Sequence, residues 1–220
     1  MSAEGQIRDR NASDFKLIET FRWQPENGFV RLDRHLERLK SSAQALGFRH
    51  RRQDIDAALV SHVSGGEPLR VRLTLDRSGT AEVTTQPFAA LDPDTVWTLQ
   101  IAATRLDADD PLLRHKTTLR ATYAAARGEF LREEADEVVL LNHADMVCEG
   151  TITTIFVSNG NGPLLTPPLA AGLLPGVLRG EMLDNGRACE AVITPQALAA
   201  ANEIFVGNSL RGLIRARLAH

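Results

Sequence analysis

The chain has 220 residues, 43% of them hydrophobic and 24% charged, with a formal charge of −3. That balance suits one large or two small globular domains and excludes a disordered or fibrous chain, while the interspersed charges offer no broad basic field to a nucleic-acid backbone. No apolar run reaches the roughly 20 residues of a membrane helix and the opening MSAEGQIRDRN lacks the apolar core of a secretion signal, so a cytoplasmic protein that binds neither nucleic acid nor membrane is expected.

Phe15 to Trp23 is rich in β-formers, and QPENG breaks it with turn residues before FVRL resumes, the pattern of a hairpin. From Asp33 the period changes. Leu32, Leu36, Leu39, Ala43 and Leu46 recur at fours and threes, predicting a helix with Asp33 as N-cap and Gly47 as its stop. A second helix is predicted over QDIDAALVSHV. LRVRLTLD, the turn RSG and TAEVTTQ then form another hairpin, in which Val71, Leu73 and Leu75 alternate with Arg70, Arg72 and Thr74. Residues 1–87 therefore read as a small α/β domain with antiparallel pairing. PFAALDPDT has two prolines and no clear period, which places the inter-domain linker at residues 88–94.

Residues 95–220 read as a larger domain. It opens with the strand VWTLQIAA, a helix from about Thr118 to Glu133, and the strand DEVVLLN. The turn HAD leads into the strand-like stretch MVCEGTITTIFVS, and NGNG reverses the chain into PLLTPPL. A short helix follows LLPG, and another is begun by Thr194 and Pro195, a cap followed by proline at the first helical position. EIFVGNSL and GLIRARL are the closing strands. Cys148 and Cys189 stand far apart with no companion ligands at metal spacing, and DADDP lacks the glycine of a calcium loop, so buried free thiols and no metal site are expected.

Three lysines stand against twenty-two arginines, and one of them, Lys116, lies in LLRHKTTLRATY. Arginine stays charged, whereas a lysine amine loses its proton when buried or set beside another cation, which suits Schiff-base and general-base chemistry. Arg114 and His115 adjoin it; the alternative is an ordinary surface lysine ahead of a helix. In LLPGVLRGEML, Pro175 and Gly176 precede a helix, so the N–H groups of Val177 and Leu178 either offer an anion site or mark a plain junction. Glu149 precedes a glycine between two apolar stretches. A carboxylate there needs a partner, either a cofactor's ring nitrogen or one of the arginines. Asn208, Ser209 and Arg211 in VGNSLRG either face a phosphate or carboxylate or form a hairpin turn.

In their order along the chain, these motifs resemble the class IV aminotransferase family, enzymes of fold type IV that use pyridoxal 5'-phosphate. The resemblance is carried by LDRHLERLKSSAQALGF, HKTT, CEGTITTIF, LTPPLAAGLLPGVLRGEML and EIFVGNSLRGL. FKLIETFRW, HKTT and NSLRG are most similar to the 4-amino-4-deoxychorismate lyase branch. It implies a mixed α/β (α+β) fold like that of D-amino acid aminotransferase, with two α/β domains and the cofactor in the cleft between them. It also implies a homodimer and a small-molecule amino substrate. Lys116 would be the Schiff-base lysine, Glu149 the partner of the pyridine nitrogen, and Arg38 a phosphate ligand. Val177, Leu178, Ser209 and Asn208 would complete the phosphate cup, leaving Arg120, Tyr123 and Arg211 as candidate substrate contacts. The implied reaction releases pyruvate and p-aminobenzoate; transamination of branched-chain or D-amino acids is the alternative, and cofactor binding without catalysis a third. The chain departs from the family pattern where Thr154 replaces the usual asparagine and where few residues precede Phe15.

Overall fold

The computed structural model describes residues 15–219, among which lie twelve strands and five α-helices. They form two compact units, one running to Ala90 and including His115–Leu119, the other formed by Leu91–Arg114 and the chain from Arg120 onward. The chain thus changes unit three times, where the sequence suggests one connection at residues 88–94.

In the first unit, β1 (Leu17–Gln24), β2 (Gly28–Phe29), β3 (Leu69–Leu75) and β4 (Ala81–Pro87) make an antiparallel sheet in the order β2-β1-β3-β4. Between them come α1 (Leu32–Leu46) and α2 (Arg52–Ser61), which lie against β1 and β4. Leu17, Glu19 and Phe21 stand opposite Leu75, Leu73 and Val71, so one sheet face carries nearly all the apolar side chains. That face is buried with Leu36, Leu39, Ala43 and Leu46 of α1 and Ile55 and Leu59 of α2. The opposite face carries Thr20 and Arg22 across from Arg72 and Arg70.

The start of α1 differs from expectation. FVRL is hardly a strand: Val30 N–H bonds back to the Arg22 carbonyl at 2.8 Å, and Arg31 turns left-handed with φ 57. The helix then begins at Leu32, which moves Asp33 into the first turn, where its charge suits the helix dipole. Gly47 closes the helix at φ 70 with its N–H on the Ala43 carbonyl, a left-handed stop that glycine adopts without a Cβ penalty.

The second unit is built on an eight-stranded mixed sheet in the order β10-β9-β8-β11-β12-β5-β6-β7. Its strands are β5 (Val96–Leu106), β6 (Glu137–Asn142), β7 (Val147–Gly150), β8 (Thr154–Ser158), β9 (Leu164–Thr166), β10 (Ala188–Glu190), β11 (Glu203–Asn208) and β12 (Gly212–Leu218). β5 pairs in parallel with β6 and β12, as does β9 with β10. Its helices are α3 (Ala121–Gly128), α4 (Val177–Asp184) and α5 (Pro195–Ala199). Every residue of β6 is buried because both faces are covered: Val139 and Leu141 pack with Ile155 and Val206, Val138 and Leu140 with Ala126 and Leu173.

The helix expected from Thr118 to Glu133 shrinks to α3. Thr118 is held by backbone pairing with Lys16, and the Glu129 carboxylate accepts the N–H groups of Ala103 and Thr104 just beyond the helix end. MVCEGTITTIFVS divides into β7 and β8 around residues 151–153, and the short pair β9 and β10 has no period long enough to read in sequence. Thr194 caps α5 as its sequence suggests, its hydroxyl accepting Ala197 N–H at 3.1 Å with Pro195 at the first position.

Burial separates two substitutions. Leu73, fully buried, should cost about 2–5 kcal/mol as Leu73→Ala. Val60 is 68% exposed, and Val60→Ala should change stability by no more than about 0.5 kcal/mol. Denaturant unfolding followed by circular dichroism would check both.

Candidate functional site

Lys116 is fixed by its backbone. Leu17 and Thr117 form an antiparallel bridge, flanked by Ile18 N–H on the Lys116 carbonyl at 2.8 Å and Thr118 N–H on the Lys16 carbonyl at 2.9 Å. The Thr118 hydroxyl also accepts Lys16 N–H at 3.0 Å. Residues opposite each other across such a bridge share a face, so Lys116 emerges on the Ile18, Thr20 and Arg22 side of the sheet. That is also the side of Arg70 and Arg72. The Arg22 guanidinium lies 5.5 Å from the centre of the Phe88 ring, and its buried Nε has no hydrogen-bond partner among the described residues.

On the other face of β1, Glu19 is 1% exposed and surrounded by donors from α1. Arg38 grips it with Nε on Oε1 at 2.8 Å and Nη2 on Oε2 at 2.6 Å, and His35 Nδ1 meets Oε2 at 2.6 Å. His35, Arg38 and Ser42 recur at helical spacing on α1, and Ser42 Oγ reaches His115 Nδ1 at 3.0 Å, beside Lys116. Burial by itself would raise the Glu19 pKa; the Arg38 charge and the His35 hydrogen bond outweigh it and hold the group at about 2. Burial pushes His35 below its ordinary value, against the pull of Glu19 and with help from Arg38 and Lys116. The imidazole is then neutral, with its proton on Nδ1, donated to Glu19.

In the second unit, Glu149 is the penultimate residue of β7. Its Oε1 accepts the Tyr123 hydroxyl at 2.6 Å and the Leu174 N–H at 3.2 Å. Burial first and the Glu149 charge second raise the Tyr123 pKa, so the phenol keeps its proton and donates it. The Arg120 guanidinium stacks 3.8 Å from the centre of the Tyr123 ring and donates to the Thr151 carbonyl. Asn208 Nδ2 donates to the Ile152 carbonyl at 3.2 Å, and its Oδ1 accepts Arg211 N–H at 3.0 Å, shaping the turn that holds buried Ser209. Arg211 approaches the Trp97 ring at 6.0 Å.

The start of α4 has no side-chain cap, and Val177 and Leu178 are buried there. The first N–H groups of a helix have no partner within it. Gly176 leaves them close access: a Cβ at that position would lie 2.7 Å from Thr154 Oγ1. One at Gly207 would meet a Leu178 methyl at 2.9 Å, so β11 also approaches this end of α4. Cys148 is buried as expected, gives its thiol to the Ala171 carbonyl at 3.1 Å, and burial pushes it up to about 12, whereas Cys189, expected to be buried, is exposed in the short strand β10. Among the described residues no cluster of three metal-ligating side chains occurs, and no helix is long and apolar enough to cross a membrane.

Residues 16–219 match the family described as amino-transferase class IV. A Schizosaccharomyces pombe protein provisionally named an aminodeoxychorismate lyase is 30% identical over 186 residues, 82% of this chain and 80% of that one. A Synechocystis protein provisionally named a branched-chain-amino-acid aminotransferase is 27% identical over 203 residues, 81% of this chain and 66% of that one. A solved Mesorhizobium loti structure, provisionally named an amino-acid aminotransferase, is 52% identical with a TM-score of 0.92, over 94% of this chain and 100% of that one. The chain belongs to the class IV aminotransferase family. It is a pyridoxal 5'-phosphate-dependent enzyme of fold type IV acting on a small-molecule amino substrate.

Three groups that organise these surroundings are not singled out by sequence: Glu19, His35 and the arginine face of Arg22, Arg70 and Arg72. Strand alternation puts the arginines on one face, but the bridge that turns Lys116 to the same face joins positions about 100 residues apart and has no local signal. Arg120 and Tyr123, candidate substrate contacts, are directed at the 151 carbonyl and at Glu149.

Both Glu19 and His35 have folded pKa values below the ordinary 4.5 and 6.5. Each stabilises the fold fully above its ordinary value, and that contribution is lost as pH falls toward the folded value. The urea midpoint should therefore fall steadily as the pH drops from about 7 toward 3. Glu19→Gln should flatten that dependence below about pH 4.5, as a pH series of melts would reveal.

Proposed function

We propose that the enzyme is a lyase of the 4-amino-4-deoxychorismate type, releasing pyruvate and p-aminobenzoate. The observation that carries this reading over a branched-chain transaminase is the set of Arg22, Arg70 and Arg72 on the sheet face from which Lys116 emerges. A substrate that divides into pyruvate and p-aminobenzoate brings two carboxylates, which guanidinium groups bind as paired donors. A branched aliphatic side chain requires an apolar lining instead.

The residues present fit the cofactor. The buried, uncapped start of α4 suits its phosphate, with the N–H groups of Val177 and Leu178 as donors and Ser209 and Asn208 from the neighbouring turn. Arg38 is the further phosphate ligand in this proposal, the plane of its fork set by Glu19. Glu149, oriented by Tyr123 and Leu174, suits a protonated ring nitrogen. When bound, the cofactor supplies an electron sink for charge left at the substrate α-carbon.

The chain's own work is then positioning and proton transfer. Lys116 would supply the amine that holds the cofactor and the base that accepts the substrate α-proton at its Nζ. Its backbone pairing with Ile18 fixes the point on the chain from which that side chain extends. Glu149 keeps a proton on the ring nitrogen, and the arginine face orients the acid groups. A homodimer is part of the proposal, supported by the family resemblance.

The second reading is amino-acid transamination, favoured by the 52% identity to the Mesorhizobium loti protein. It would use the same lysine as the group that moves the proton. Purified enzyme loaded with pyridoxal phosphate should release p-aminobenzoate from aminodeoxychorismate; keto-acid formation from amino acids with no p-aminobenzoate would replace the first reading by the second. Lys116→Ala should lose turnover and the visible absorbance of the attached cofactor together. Arg22→Leu should raise KM for the acidic substrate about tenfold or more, the loss of a charge-assisted hydrogen bond, with kcat less affected.

A further inference from the structure

Glu137, the first residue of β6, is 1% exposed and has no part in the chemistry above. It faces the turn that joins β7 to β8. Its Oε1 accepts Thr151 N–H at 3.0 Å and Thr151 Oγ1 at 2.5 Å, as well as Val138 N–H at 2.9 Å. Its Oε2 accepts Ile152 N–H at 3.0 Å and Thr153 Oγ1 at 2.8 Å. The donors of three successive residues are thus gathered onto one buried carboxylate. A side chain at Gly150 would lie 2.9 Å from that carboxyl group, so glycine there is what lets the chain pass so close.

Turning the donors inward sends the carbonyls outward. The Thr151 carbonyl takes Arg120, whose guanidinium stacks on Tyr123, whose hydroxyl in turn holds Glu149. The Ile152 carbonyl takes Asn208, which shapes the turn around Ser209. A neutral side chain could not do the same, because an amide in place of the carboxylate would set its own N–H against one of these donors.

We infer that Glu137 is a positioning residue: through the 151–153 turn it sets Arg120, Tyr123 and Asn208, and through them the orientation of the Glu149 carboxylate and the 208–211 turn. The consequence for cofactor binding rests on the roles proposed above for Glu149 and Ser209, whereas the consequence for Glu149 itself does not.

The test uses the single tyrosine of the chain, Tyr123. With ring-carbon-labelled tyrosine, the 13Cζ resonance reports one hydroxyl and its bond to Glu149. The full-length chain would be measured as Glu137→Gln and as the gentler Thr153→Val, which removes one donor and keeps the shape. Glu149→Gln serves as the reference. Glu137→Gln should move the resonance in the same direction as Glu149→Gln, and Thr153→Val should move it part of the way. Pyridoxal phosphate should bind Glu137→Gln about tenfold more weakly, and the pH at which its visible band changes should shift. An unmoved resonance in both Glu137→Gln and Thr153→Val, with a wild-type band profile and only a lowered melting temperature, would overturn the inference. If the wild-type chain binds no pyridoxal phosphate while the resonance moves as expected, the cofactor roles fail and the positioning of Glu149 stands.

Discussion

The antiparallel pairing of Lys16–Ile18 with Lys116–Thr118 is the constraint on which the placement of Lys116 depends. Two backbone hydrogen bonds bring a segment from far along the chain beside β1 and decide which face of the sheet receives the lysine. A long side chain on a free loop would sample many positions and pay rotamer entropy for each productive one. A strand-like register removes the backbone part of that cost in advance. It also explains why His115–Leu119 belongs to the first unit although its neighbours on both sides belong to the second.

Two buried carboxylates, Glu19 and Glu137, sit behind candidate functional residues and are satisfied by opposite means. Glu19 meets a cation and an imidazole, and its bidentate bond to Arg38 holds a planar fork in one orientation. Such a charge is costly to bury, and removing one partner would leave the other stranded. Glu137 is surrounded by neutral N–H and O–H donors instead. Distributed dipoles compensate its charge without bringing a second charge into the core, and a turn of small polar residues, Thr151 to Thr153, is the kind of segment that can present so many donors at once. In both cases the carboxylate fixes the conformation of the groups that donate to it.

The local parts of the fold were legible. The spacing of Leu36, Leu39, Ala43 and Leu46 marks α1, the alternation around Val71 and Leu73 marks β3, and Thr194 with Pro195 marks α5. Where the reading failed, a nonlocal contact had overridden local preference. The helix projected from Thr118 is shortened because Thr118 is claimed by β1, and α1 starts at Leu32 because Val30 is tied to Arg22. Arg120 and Tyr123, candidate substrate contacts, direct polar atoms to the 151 carbonyl and to Glu149, partners that lie about thirty residues further along the chain.

The sequence alone determined the family and the cofactor, because the resemblance to class IV aminotransferases is carried by short motifs, and within those motifs it singled out Lys116 and Glu149 as candidates. Only the tertiary structure decided what surrounds them. Which arginines share a face with Lys116, which carboxylate orients Arg38, and what holds the turn beyond Glu149 are settled by strand register and by contacts between distant residues. A hydrogen bond constrains positions in space and leaves no mark on their separation along the chain, so no periodicity could have announced Glu19 or Glu137.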